Sequence, residues 1–126
     1  MAFSNETANP VNDCNDCIVR STAKVFNEDW QSVMRKFCDK AIEMYLMPND
    51  GRVAQEVLAN YPVQATYLRH DERLTVHQLA ESNPSGKFIA LTKGVQSHAI
   101  GIVNGDWFDI YDSGDEELEY YWTVEE

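Results

Sequence analysis

The spacing of apolar residues changes near position 84, and that change limits the chain to a narrow set of architectures. Before it, apolar positions recur at threes and fours; after it, they form short runs or alternate. From Cys17, the residues Ile18, Val19, Ala23, Val25 and Phe26 predict a short buried helix, with Asn15 or Asp16 placed to cap its first turn. Trp30, Met34, Phe37, Cys38, Ala41, Ile42 and Tyr45 predict a second, amphipathic helix ending near Met47. Pro48 to Gly51 break the chain, and Val53, Ala54, Val57, Leu58 and Tyr61 mark a third helix closed by Pro62. Thr75 caps a short helix through Val76, Leu79 and Ala80, and a turn follows at Asn83 to Gly86. Phe88 to Leu91 read as a strand, His98 to Val103 pair with Trp107 to Tyr111 across Asn104-Gly105, and Leu118 to Val124 add another. Helices first and sheet second give an α+β class: N-terminal helices packed on a small C-terminal antiparallel sheet.

A chain of 126 residues with 44% apolar content can bury one core, so one domain over 1–126 is expected, with 1–13 as an irregular arm. Ten basic against 21 acidic residues leave a formal charge of −11, which repels phosphate and argues against nucleic acid as the direct substrate. No apolar run approaches the roughly 18 residues of a membrane span, and the opening residues have neither a basic end nor an apolar stretch. A cytoplasmic setting with reduced thiols is expected. The acidic stretch from Asp112 to Glu119 reads as a solvated loop.

Chemistry concentrates at Cys17. A helix N-terminus offers partial positive charge and free N–H groups, which stabilise a thiolate. His98 opens a strand and is the candidate base; His70 lies in a charged loop and His77 on a helix surface. The third residue depends on the hairpin register, because a one-residue slip exchanges faces. A three-residue loop puts His98, Ile100 and Ile102 with Phe108, Ile110 and Asp112, a face that is apolar except at its catalytic end. A two-residue Asn104-Gly105 turn puts His98 with Trp107, Asp109 and Tyr111 instead. The first register is preferred, which makes Asp112 the expected orienting acid and Asp109 its rival.

The segments Asn15-Asp16-Cys17-Ile18-Val19-Arg20-Ser21-Thr22-Ala23, Ser97-His98-Ala99-Ile100-Gly101-Ile102-Val103-Asn104-Gly105-Asp106 and Tyr111-Asp112-Ser113-Gly114 resemble small phage and bacterial proteins of the papain-like superfamily. The resemblance implies a Cys opening the central helix, a His beginning a strand and an Asn or Asp orienting it, matching Cys17, His98 and Asp112 or Asp109. It implies a cysteine hydrolase or acyltransferase acting on a peptide, isopeptide or amide, in a host cytoplasm if phage encoded. Asn12 and Asn15 both stand where an oxyanion donor is sought. Neither metal nor organic cofactor is needed.

Three other readings compete. Cys14-Asn15-Asp16-Cys17 has dithiol redox spacing, but the residues ahead of it are too polar for the strand such a site follows. Zinc needs four ligands, and Cys38 with the three histidines shows no paired spacing; Cys38 reads as a buried thiol on an apolar stripe. The third is an inactive acidic protein whose carboxylates, from Asp112 to Glu126, engage a basic or nucleic-acid-binding factor.

Overall fold

The computed structural model describes residues 2–4, 16–93, 98–109 and 111–125. Four helices and six strands follow one another as β1 (Phe3–Ser4), α1 (Cys17–Phe26), α2 (Trp30–Met44), α3 (Gly51–Leu58), β2 (Val63–Tyr67), α4 (Val76–Ser82), β3 (Lys87–Thr92), β4 (Ala99–Val103), β5 (Asp106–Phe108) and β6 (Leu118–Val124). The strands form one sheet in the order β1-β5-β4-β3-β6-β2. The α+β class holds. The sheet is nevertheless larger than expected and mixed, because β1 pairs in parallel with β5 and β2 comes from between two helices to pair with β6.

Period-two alternation explains the layers. On β3, Ile89 and Leu91 join a core with α1, α2 and α3, whereas Phe88 and Ala90 join a second core with α4. On β4, Ala99 belongs to the first core and Ile100 and Ile102 to the second. The central strands are therefore buried on both faces. The helix α1 lies against β4 over Gly101, where an added Cβ would stand 3.2 Å from Val25 Cγ2 and 3.4 Å from the Ser21 carbonyl oxygen. This close approach fixes the helix that opens with Cys17 on the strand that follows His98.

Local signals account for the helix ends. Asp29 and Asp50 accept from the backbone N–H groups of Ser32 and Arg52, and Thr75 forms a capping box with Gln78. Asp16 occupies the N-cap position of α1 but its side chain makes no cap hydrogen bond, contrary to the capping role expected for it. α2 stops at Met44 because Tyr45 turns left-handed at φ 59°, and Ile42, Tyr45 and Met47 are exposed rather than on a buried stripe. Cys38 is half-buried.

The hairpin contradicts the preferred register. Val103 pairs with Asp106 and Ile102 with Trp107, leaving Asn104 and Gly105 as a two-residue turn with φ 52° and 86°. Two positive φ values match the right-handed strand twist, the reason Asn-Gly favours this turn. The stretch expected as a solvated acidic loop is partly built in: Ser113 is buried, and Leu118 starts β6 with no exposure.

Candidate active site

Cys17 is the first residue of α1, half-buried, and its sulfur accepts the Ala99 backbone N–H at 3.5 Å. His98 stands just ahead of β4, its own N–H bonded to Thr92 Oγ1 at 3.1 Å. The two side chains are close enough for each to shift the other's ionisation. His98 Nε2 donates to Asp109 Oδ2 at 2.6 Å, which leaves Nδ1 as the ring nitrogen available to a thiol. Asp109, just past β5, is 3% exposed, and its Oδ2 also accepts from Ser113 Oγ at 2.8 Å. The Tyr111 ring covers the imidazole, with centroids 5.2 Å apart and planes 20° from parallel.

The thiol, the imidazole and a carboxylate are therefore assembled, but the acid is Asp109, and the expectation for Asp112 is corrected. Asp112 Oδ1 accepts instead from Trp107 Nε1 and the Gly114 N–H, both at 3.0 Å, and so ties the loop after β5 to the strand. The two-residue turn is the cause, since it carries Asp109 to the His98 end of the pair. Ser113 was not singled out as a site residue; a serine four positions after a candidate acid is too ordinary a signal to mark it. His70 lies in an exposed turn, and His77 packs against Trp107 with its Nε2 3.4 Å from Glu81, so neither serves Cys17. Asn12, Cys14 and Asn15 lie outside the described residues, as do Ile110 and the irregular arm beyond Ser4.

Electrostatics favour a charged pair. Burial pushes the Cys17 thiol up, but the bonds from His98 and Ala99, with the charges of His98 and Arg20, outweigh it and bring the thiol below its ordinary value. Burial likewise disfavours a protonated His98, yet the Asp109 carboxylate and the Cys17 sulfur lift the ring from 6.5 to about 9. A lowered thiol beside a raised imidazole shifts the pair toward its thiolate–imidazolium form. Among the described residues no three His, Cys, Asp or Glu side chains converge to hold a metal ion.

Comparison with family models, curated proteins and solved structures returns no match. Within the described residues, no helix is long and apolar enough to cross a membrane.

Proposed function

We propose that this protein is a thiol hydrolase or acyltransferase of papain-like type, with Cys17 as nucleophile, His98 as acid–base and Asp109 as the group that orients His98. The observation that carries this reading is the imidazole bonded to a buried carboxylate and placed beside a sulfur at a helix N-terminus, where imidazole and thiol shift each other's ionisation. In the reaction the Cys17 thiolate attacks the carbonyl carbon of an amide, forming a C–S bond as the carbonyl π electrons move to oxygen. The tetrahedral oxyanion then collapses, the C–N bond breaks, and His98 delivers its proton to the departing amine. A thioester remains. Water or a second amine, deprotonated by His98, attacks it and releases the acid or a new amide. The Cys17 N–H at the start of α1 is suited to hold the oxyanion. Substrates of this class are peptides, isopeptides or simple amides, and the charge of −11 favours basic protein substrates.

The test is alkylation of the thiols as a function of pH, resolved by peptide mass. Cys17 should label fastest near neutral pH and retain its reactivity below the ordinary thiol range, and His98→Ala should suppress that labelling in a folded protein. Labelling of Cys17 no faster than that of Cys38 would overturn the proposal. The same charge supports a second reading, an inactive acidic binder of a basic factor. Binding of that kind weakens steeply with added salt, whereas thiol reactivity does not.

A further inference from the structure

A carboxylate directly ahead of the nucleophile works against the chemistry proposed for Cys17. Asp16 is 5% exposed, and in a low-dielectric setting an adjacent carboxylate opposes a thiolate. An N-cap aspartate would also accept from the first-turn N–H groups, taking up the positive end of the helix on which the thiolate depends. No such cap bond forms here. The Asp16 side chain makes no cap bond and turns to Arg20, one helical turn on, with Oδ1 2.9 Å from Nε. Trp30 Nε1, at the start of α2, donates to the other oxygen, Oδ2, at 2.8 Å. The Arg20 side chain is 7% exposed, and Arg20 lines a cavity of about 10 Å³ together with Cys17, Ala99 and Asp109.

A buried ion pair adds little to stability compared with apolar residues of similar volume, so its position one residue from the thiol calls for another explanation. We infer that Arg20 and Trp30 are positioning residues that draw the Asp16 carboxylate away from the start of α1 and offset its charge, so that Cys17 ionises beside a buried acid. This inference rests on Cys17 being the nucleophile. The groups facing the sulfur sort accordingly. His98 and Arg20 favour the thiolate. The Asp109 carboxylate is bonded to the imidazole, the Tyr111 ring stacks on it with its phenol in electrostatic reach of Cys17, and Lys24 borders the same cavity with its ammonium over the Phe108 ring. Asp16 adjoins Cys17 in the chain as a buried anion, and Arg20 and Trp30 are among the groups that hold it.

The experiment follows Cys17 alkylation by iodoacetamide against pH in wild type, Arg20→Met, Arg20→Lys, Asp16→Asn, Trp30→Phe and the Asp16→Asn/Arg20→Met double variant, each checked for folding by circular dichroism. Arg20→Met should slow labelling by about tenfold on the acid side, as its midpoint rises by about one pH unit. Trp30→Phe should shift it less in the same direction, and Arg20→Lys should stay near wild type. The double variant should recover most of the loss, because the carboxylate that needed offsetting is gone. Asp16→Asn alone leaves Arg20 unopposed and should move the midpoint below wild type, which keeps the test decisive if Arg20→Met fails to fold. A wild-type profile in Arg20→Met, a double variant no better than Arg20→Met, or a midpoint in Asp16→Asn that is unchanged or raised would overturn the inference. An ordinary thiol profile in wild type would overturn the nucleophile reading as well, so the two failures are distinguishable.

Discussion

Replacing Asp109 with Ala removes the acceptor 2.6 Å from His98 Nε2 and leaves Ser113 Oγ without its partner. The ring then loses both its orientation and the charge that keeps it protonated. We expect Asp109→Ala to slow acylation of Cys17 about tenfold or more, which is at least about 1.4 kcal/mol of transition-state stabilisation. Asp112→Ala should leave that rate nearly unchanged and lower the melting temperature instead, because Trp107 Nε1 and the Gly114 N–H lose their acceptor. Single-turnover labelling and thermal melts of both variants separate the two effects. Stability should also follow the imidazole. Its folded value of about 9 lies above the free value of 6.5, so the charged ring stabilises the fold. That contribution is complete below about pH 6.5 and disappears as pH rises through about 9. The thiol, held below its ordinary value, contributes the opposite limb, present at alkaline pH and lost as pH falls through its folded value. Urea unfolding across this range should show the alkaline loss in wild type and an earlier loss in Asp109→Asn.

At the scale of elements, the hairpin between β4 and β5 decides which acid meets His98. Gly105, at φ 86°, occupies a conformation that costs an L side chain about 1 kcal/mol, and Gly105→Ala should destabilise by roughly that amount in urea unfolding. Gly101 has the opposite constraint, of space rather than of dihedral. Gly101→Val should push α1 off β4 and slow Cys17 labelling, with a stability loss of about 1–3 kcal/mol. The sequence made the start of α1, the strand after His98 and the Asn-Gly turn legible, because capping, periodicity and turn chemistry are local signals. Its register argument failed for a non-local reason. It assumed one buried face, yet Ala99 and Gly101 face α1 while Ile100 and Ile102 face α4, so apolarity on a face selects neither register. The Asn-Gly pair alone was the better guide. β2 escaped because Gln64 to Tyr67 are all exposed, and an edge strand with no buried face carries little hydrophobic pattern. β1 is two residues long and exists only through its pairing with β5.

Across the molecule, the sheet is covered by three helices on one face and one on the other, and the site lies where α1 meets the start of β4 and the end of β5. The bond between the Ala99 N–H and Cys17 Sγ joins groups 82 positions apart in the chain. Contacts of such separation carry a large loop-closure cost and are repaid only when most of the core has formed. On the proposed reading the sulfur acquires its nucleophilic character in the cooperative folding step and not before, and a partly synthesised or unfolded chain carries an unremarkable thiol. Titration with denaturant should make the two described thiols respond in opposite directions at neutral pH. Cys38, half-buried in the fold, should label faster as the chain opens, while Cys17 should label more slowly. Parallel acceleration of both would show that Cys17 owes nothing to the fold. Crossing of the two curves at the unfolding midpoint would make the thiol itself a gauge of how much of the chain is native, a safeguard against acylation by molecules that have not finished folding.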